Sequence, residues 1–128
     1  MVQSRFILNI LDLLLDCDED GKIARQQMTY LTERNYDYSG AGLFVTFSHT
    51  DDALKYRLTK KDVVLNGVKI KSPDLEIGAD ATLFFKDGII DYLEIWSLDG
   101  NYPDKELEKY IITQVWKGSP NRQIIDEK

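Results

Sequence analysis

The stretch Ala79–Ser97, with the sequence ADATLFFKDGIIDYLEIWS, predicts two β-strands joined by a tight turn. The turn is Asp87-Gly88, a pair typical of type I′ turns, in which both central residues take positive φ. The first arm is apolar on both sides of Phe84, which is typical of a central strand covered on both faces. We therefore expect the rest of the fold to be built outward from this hairpin.

The second arm of the hairpin alternates between two faces, as a strand does. One predicted face carries Ile90, Tyr92, Glu94 and Trp96, and the other carries Asp91, Leu93, Ile95 and Ser97. Glu94 is thus predicted to lie between two aromatic side chains on an otherwise apolar surface. Because a buried charge is normally paired within the protein, Glu94 is either hydrogen-bonded internally or an anchor for a partner.

Two helices are predicted before the sheet. Ser4 is a suitable N-cap for a first helix over residues 5–16, whose apolar residues recur at helical spacing. A second, more polar helix is predicted over residues 22–34, and the glycines of residues 36–42 indicate a turn. A helix as apolar as the first is expected to lie against a sheet.

The remaining chain is rich in strand and turn signals. Strands are predicted at 43–49, at 54–58 as an exposed edge, at 63–71 as a hairpin turning at Asn66-Gly67, and at 110–116 as the last strand, with a short bridge at 75–77 and a helical turn at 104–109. This order predicts an α+β fold, in which two N-terminal helices pack on one face of a meandering antiparallel sheet of five to seven strands.

The length of 128 residues predicts a single domain. Within it, residues 1–35 are predicted to be helical, residues 43–116 to form the antiparallel sheet, and residues 117–128 to be a polar tail.

Composition restricts the function classes. The formal net charge of −6 disfavours direct binding of nucleic acid, because an acidic surface repels phosphates, and favours a basic protein partner. The single cysteine, Cys17, excludes an intramolecular disulfide and indicates a reducing compartment. The apolar N-terminal run is too short to span a bilayer and no cleavage site follows it, so we expect a cytoplasmic protein that binds no membrane.

The run DCDEDGKI, from Asp16 to Ile23, matches the start of a calcium-binding EF-hand loop. Asp16, Asp18 and Asp20 would supply oxygen ligands. The twelfth loop position is Gln27, however, and an amide cannot supply the bidentate carboxylate that completes the coordination shell. The sequence favours a solvated acidic turn between two helices, and a calcium-binding module is an alternative function.

Residues typical of catalysis are few. His49 is the only histidine, and no serine or cysteine has the sequence context of an activated nucleophile. Cys17 lies in an acidic run, which raises a thiol pKa. Asp91 and Glu94 point to opposite faces of a regular strand and cannot form a catalytic carboxylate pair. We therefore expect a non-enzymatic protein without a cofactor.

Two stretches resemble a known family. Residues 40–49, GAGLFVTFSH, and residues 65–103, which contain LFFKDG, LEIWSLDG and Tyr102-Pro103, resemble immunity proteins of bacterial contact-dependent growth inhibition and related polymorphic toxin systems. The resemblance implies a cytoplasmic binding protein that neutralises a cognate toxin, commonly a nuclease, by covering its active site. No contact residue is carried over from the family.

The partner-binding surface is therefore predicted from charge and aromatic content. Aromatic side chains beside carboxylates make good anchors against a basic partner. The candidate residues are Asp18, Glu19, Asp20, Asp51, Asp52, Asp91, Tyr92, Glu94, Trp96 and Asp99. A pocket between helix and sheet near Tyr92, Glu94 and Trp96 would instead suit a small ligand, which is a further alternative.

Basic residues form two local groups. The first contains Lys55, Arg57, Lys60 and Lys61, and the second contains Lys69 and Lys71. Each group indicates either a local basic face or protection of an exposed strand edge against aggregation.

Overall fold

The computed structural model describes residues 1–127, which form an α+β fold with one antiparallel sheet of seven strands. The helices are α1 (Arg5–Leu14) and α2 (Glu19–Arg25), with 3₁₀ turns at Met28–Tyr30 and Asp51–Tyr56. The strands are β1 (Leu31–Tyr38), β2 (Gly42–His49), β3 (Val64–Lys71), β4 (Ala79–Lys86), β5 (Ile89–Ser97), β6 (Lys109–Gln114) and β7 (Gln123–Glu127), in the spatial order β1-β2-β5-β4-β3-β6-β7. The predicted α+β class, the antiparallel sheet and the strand number are confirmed. The prediction of a meander is wrong, because β2 pairs with β5 and β3 pairs with β6, so the strands are not in chain order.

The hairpin around Asp87-Gly88 lies at the centre of the sheet, as predicted. Its strands β4 and β5 pair with each other and are flanked by β3 and β2. Asp87 has φ 52° and Gly88 has φ 80°, so both central residues take the positive φ of the predicted turn. β4 is not covered on both sides, however. Ala81 and Leu83 are buried, whereas Thr82 and Phe84 on the opposite side are only half-buried.

A β-bulge in β5 changes the predicted alternation of this strand. Phe84 pairs with Tyr92, but the next residue, Phe85, pairs with Ile90, so Asp91 is the extra residue. The bulge places Ile90 on the buried side of the sheet, and the prediction that Ile90 shares a face with Tyr92 is wrong. We call the buried side, which carries Leu83, Leu93 and Ile95, the core face, and the opposite side the outer face.

Helix α1 begins and packs as its sequence indicates. The Ser4 hydroxyl accepts a hydrogen bond from the backbone N–H of Ile7 at 3.2 Å, which confirms the predicted N-cap. All apolar residues of α1 except the half-buried Leu8 are buried, and the helix contacts β3, β4 and β6. Within residues 1–127, no helix has the length and apolar character needed to cross a bilayer.

The second helix differs from its prediction at both ends. The Asp18 side chain accepts hydrogen bonds from the N–H groups of Asp20 and Gly21, so α2 starts at Glu19, three residues early. Residues 31–34, predicted as its end, belong instead to β1, and residues 1–35 are therefore not all helical. Pairing with β2 along the sheet edge overrides the weak helix propensity of this polar segment.

Two further strand predictions are wrong between β2 and β4. Residues 51–56 form a 3₁₀ turn, so residues 54–58 are not an edge strand. Residues 63–71 are not a hairpin, because β3 runs through Asn66-Gly67 with a bulge there, as shown by the register shift between Leu65 and Val68. Gly67 has φ 98°, which a bulge accommodates as readily as a turn. Residues 75–77 form no strand, and residues 104–109 form no helical turn.

The C-terminal region contains an additional strand. β6 ends at Gln114 and is not the last strand, since β7 pairs with it through residues 123–127 of the predicted polar tail. Lys128, the final residue of that tail, lies outside the described residues. The pattern Gln-Ile-Ile-Asp-Glu is short and half polar, and such edge strands are poorly distinguished from loops by sequence.

An ion-pair network fixes the loop before β7 to α1. Arg122 contacts Asp12 at 3.0 Å and Asp16 at 3.1 Å, and Arg25 of α2 contacts Asp12 at 2.6 Å. The buried side chain of Gln114 donates to Asp16 and accepts from the backbone N–H of Arg122 at 2.8 Å. These contacts join both helices to the end of the sheet.

Candidate functional site

Three aromatic rings form a cluster on the outer face of the sheet. Tyr92 stacks on Phe84 of the neighbouring strand, with ring centroids 4.5 Å apart and an interplanar angle of 11°. Phe44 of β2 lies on the other side of Tyr92, at 6.4 Å and tilted by 45°. All three rings are half-buried. Stacked aromatic rings of this kind are rigid and still offer apolar area to a partner.

Trp96 extends the aromatic cluster along β5. Its strand neighbours are Gly42 on β2 and Asp80 on β4. Gly42 presents no side chain, and a Cβ there would collide with the backbone oxygen of Ile95, so glycine is required at this position. Trp96 is 47% exposed, a large apolar area for one residue on a sheet face.

Glu94 lies between Tyr92 and Trp96 on the outer face, as predicted. It is opposite Phe44 on β2 and Thr82 on β4, and it is half-buried. Its carboxylate forms no ion pair with any residue of 1–127. Internal hydrogen bonding, within the sheet or to an arginine, is one of the two sequence interpretations, and the structure shows no arginine paired with Glu94 in the described part of the chain.

The charges around the aromatic cluster are divided across the sheet. Asp37 on β1 is opposite Phe44, and Asp80 on β4 is opposite Trp96, so the β1-β2-β5-β4 half carries acidic side chains. Lys69 and Lys71 lie on β3, between β4 and β6, and Lys69 is opposite Asp80. We call Phe44, Phe84, Tyr92, Glu94 and Trp96 the aromatic patch. Its immediate charges are negative, which suits a basic partner.

The acidic residues of the first interhelical turn are not part of this patch. Asp18 is the N-cap of α2, and Asp20 forms an ion pair with Lys60 at 3.4 Å. Burial acts to raise the pKa of Asp18, but the bonds from Cys17 and the backbone N–H groups outweigh it and lower the pKa. Glu19 is exposed and contacts only Lys22 of its own helix. Of the three, Glu19 is the most available to a partner.

The other predicted carboxylates lie on separate elements. Asp51 and Asp52 begin the 3₁₀ turn after β2, where Asp52 contacts Lys55 at 3.5 Å. Asp99 accepts hydrogen bonds from the Ser97 hydroxyl and the Asn101 backbone, which lower its pKa and hold the turn after β5. Asp91 lines a groove at the opposite end of β5. The structure thus brings together only Tyr92, Glu94 and Trp96 of the predicted set.

The EF-hand pattern does not form a calcium loop in this structure. Asp16 contacts Arg122, Asp18 caps α2, and Asp20 contacts Lys60, so the three carboxylates have different partners. Gln27 is fully buried and bonded to the backbone of the central hairpin. Within residues 1–127, no group of three or more His, Cys, Asp or Glu side chains is arranged to hold a metal ion.

Two of the residues considered for catalysis, Cys17 and His49, lie on different segments of the fold. Desolvation, with a smaller contribution from Asp18, raises the pKa of the Cys17 thiol, which disfavours the nucleophilic thiolate. His49 lies at the far end of β2 and lines the same groove as Asp91.

The predicted pocket between helix and sheet is not found at Tyr92, Glu94 and Trp96. These side chains point to the outer face, while their neighbours Leu93 and Ile95 fill the core. A groove of 730 Å³ lies elsewhere, between the loop after β3 and the start of β6.

Phe44 and Phe84 were not among the predicted partner-binding residues. The alternation of LFVTFSH places Phe44 on the face opposite to buried Leu43 and Val45, and this signal was sufficient to find it. The register that brings Phe44 and Phe84 to either side of Tyr92 depends on which strands are neighbours, which is a property of the sheet order.

Comparisons with protein-family models, with curated proteins and with solved structures gave no match to this chain.

Proposed function

We propose that this protein is an immunity-type inhibitor, a non-enzymatic protein that binds a basic toxin domain through the aromatic patch and covers its active site. The observation that carries this proposal is the unpaired carboxylate of Glu94 between the aromatic side chains of Tyr92 and Trp96. We infer that the two N-terminal helices cover the core face, and that the outer face is left to a partner in the reducing cytoplasm of a bacterium.

The composition of the patch supports an interface role. Tyrosine and tryptophan are enriched among interface residues that contribute most of the binding free energy. Glu94 has no internal partner to replace, so a lysine or arginine of the partner gains a charge-assisted hydrogen bond without breaking an existing one. The net charge of −6 favours fast, electrostatically steered association with a basic surface, such as the cleft of a nuclease.

The experiment is a binding measurement with a toxin. The C-terminal domain of a large reading frame adjacent to this gene is produced as an inactive variant, and its association with the purified chain is followed by interferometry. We expect Glu94→Lys to raise the dissociation constant by about 100-fold, the effect typical of reversing a charge at the centre of an interface.

Glu19→Lys is the matched control on helix α2. It reverses an exposed charge outside the patch, so it should alter the association rate by no more than about threefold through the net charge alone. Loss of binding with Glu19→Lys and normal binding with Glu94→Lys would place the interface at the interhelical turn. An adjacent reading frame that encodes no toxic domain would contradict the proposed function itself.

A further inference from the structure

A groove of 490 Å³ lies at the end of the sheet where the β4–β5 hairpin turns. Its walls come from the bulge of β1, the end of β2, the 3₁₀ turn at residues 51–56 and the hairpin turn. We call it the turn groove, and its charged or polar lining residues are Arg34, Ser48, His49, Arg57, Lys86, Asp87 and Asp91. Its volume falls in the range of sites for small molecules.

The cations of the turn groove form no ion pair within residues 1–127. Of the five arginines in the chain, Arg5, Arg25 and Arg122 each form an ion pair with an aspartate. Arg34 and Arg57 form none within residues 1–127, and both line this groove. Lys86, on the same groove, is also without an ion pair in the described part of the chain. The two arginines that form no ion pair within the described residues therefore both line the same groove.

Backbone irregularities contribute side chains to the same groove. The extra residue of the β1 bulge is Arg34, because Glu33 pairs with Phe47 and Asn35 pairs with Thr46. The extra residue of the β5 bulge is Asp91. Bulges interrupt strand pairing and are over-represented next to binding and active sites, where they redirect a side chain. Two of the bulges in this sheet therefore place a charged residue in one groove.

A buried glutamine holds the walls of the groove together. The Gln27 amide nitrogen donates to the backbone oxygens of Tyr56 at 2.8 Å and Gly88 at 3.0 Å, and its oxygen accepts from the Ile90 N–H at 2.9 Å. The Leu58 N–H also donates to the oxygen of Gly88 at 3.0 Å. The 3₁₀ turn and the hairpin turn are thereby fixed relative to each other, so the groove is formed before any ligand binds.

We propose that the turn groove binds a small phosphate monoester. Guanidinium groups bind phosphate oxygens in a bidentate manner, and Arg34, Arg57 and Lys86 together match a group that carries nearly two negative charges. Leu54, which is 40% exposed, provides an apolar wall for the organic part of the ligand. Asp87 and Asp91 also line the groove and act as acceptors for hydroxyl groups of the ligand. This site is independent of the aromatic patch and of any toxin.

The test uses the purified chain and two probes, inorganic phosphate and phenyl phosphate. The side-chain Nε–H signals of Arg34 and Arg57 are followed by NMR at neutral pH during titration. We expect saturable shifts of both signals, and we expect phenyl phosphate to bind about fivefold more tightly than inorganic phosphate because its ring packs on Leu54. The variant Arg34→Gln/Arg57→Gln should raise the dissociation constant of phenyl phosphate at least about tenfold.

Lys69→Gln/Lys117→Gln is the matched control, because it removes two cations that lie outside the turn groove. It should leave the affinity within about twofold, the small change expected from net charge alone. Absence of saturable shifts, or equal losses in the two double variants, would overturn the proposal. Equal affinity for the two probes would overturn the assignment of the Leu54 wall to an organic group.

Discussion

The two faces of β5 differ in what their side chains contact. On the core face, Leu93 and Ile95 are fully buried among apolar residues of the neighbouring strands. On the outer face, Tyr92 and Trp96 alternate with them along the same backbone, yet both keep exposed area, and Glu94 between them has no ion-pair partner among residues 1–127. One strand thus supplies the protein with part of its core on one side and with a partly exposed aromatic surface on the other.

This difference indicates that stability and recognition can be changed separately. Substitutions on the core face should lower the free energy of unfolding and leave the binding surface chemically intact. Substitutions on the outer face should weaken binding and lower the free energy of unfolding much less than those on the core face. The following predictions run from the largest expected effect on stability to the smallest. Those at Leu93, Tyr92 and Trp96 test the separation of the two faces, and the others test the contacts that hold the core and the sheet edge in place.

Leu93→Ala should have the largest effect. It removes a fully buried side chain from the central hairpin and leaves a cavity, so we expect a loss of about 4 kcal/mol in the free energy of unfolding. Tyr92→Ala, one residue away on the outer face, should cost only about 1.5 kcal/mol, because its ring is half-buried. Urea denaturation measures both values, and equal losses would contradict the separation of the faces.

Gln27→Ala should cost about 3 kcal/mol. It leaves the N–H of Ile90 and the oxygens of Tyr56 and Gly88 without the bonds they make to this fully buried side chain. Gln26→Ala is the neighbouring control, since Gln26 is exposed, and it should change the free energy of unfolding by less than about 0.5 kcal/mol. A loss below 1 kcal/mol for Gln27→Ala would show that these hydrogen bonds contribute little to the free energy of unfolding.

Comparing Gly88→Ala with Gly100→Ala measures the cost of placing a Cβ where the hairpin turn lies close to the backbone of Leu58. The two glycines have nearly the same positive φ, 80° and 82°, so the conformational strain added by alanine is similar. A Cβ on Gly88 would collide with the backbone oxygen of Leu58, whereas the space around Gly100 is open. We expect losses of about 2.5 and about 1 kcal/mol, respectively, in thermal or chemical denaturation. Equal losses would show that the Leu58 segment moves freely.

The hydrogen bonds to Glu33 predict that the free energy of unfolding decreases at acid pH. Burial acts to raise its pKa, but hydrogen bonds from the backbone N–H groups of Gln3 and Ser4, each 2.8 Å long, outweigh it and lower the pKa. The unfolded chain therefore binds this proton more readily than the folded one. The stabilisation is present above the ordinary pKa of glutamate and is lost as pH falls through the lowered value.

Glu33→Gln should accordingly reduce the slope of unfolding free energy against pH below about pH 5. The measurement is urea denaturation at a series of pH values between neutral and acid. The exposed residue Glu108 provides the control, and Glu108→Gln should leave the slope unchanged. An unchanged slope in Glu33→Gln would mean that the carboxylate does not hold the start of α1 in solution.

Trp96→Ala should have the smallest effect on stability and a large effect on binding. The indole is 47% exposed, so we expect a change below about 1 kcal/mol in the free energy of unfolding. Its loss should nevertheless raise the dissociation constant for the toxin domain by about 30-fold or more, because aromatic anchors dominate interface energetics. Trp116→Ala is the matched control, because it removes the other tryptophan, which is not part of the aromatic patch. It should leave binding unchanged.

Much of the central sheet was predictable because its signals are local. Asp87-Gly88 requires positive φ at both positions, and the alternation of β2 and β5 places their apolar residues on one side. β1 and β7 were missed because edge strands are polar on their exposed side and draw their stability from a neighbouring strand that the local sequence does not reveal.

The candidate site was predictable only in part, for a similar reason. The triplet Tyr92, Glu94 and Trp96 follows from alternation within one strand. No glycine or other sequence signal marks the bulge at Asp91. The position of Ile90 on the core face, instead of the outer face with Tyr92, was therefore not predicted. The role of Gln27 in holding the hairpin was not predicted, because its bonds join residues about sixty positions apart in the sequence.

The most direct test of an outer-face interface is protection of a growing bacterial host that expresses the toxin domain of the adjacent reading frame. Each host also produces either the unchanged protein or Tyr92→Ala/Trp96→Ala, at matched levels of soluble, folded chain. We expect the unchanged protein to restore growth and the double variant to fail. Equal protection by the double variant would show that the toxin is held elsewhere on the molecule.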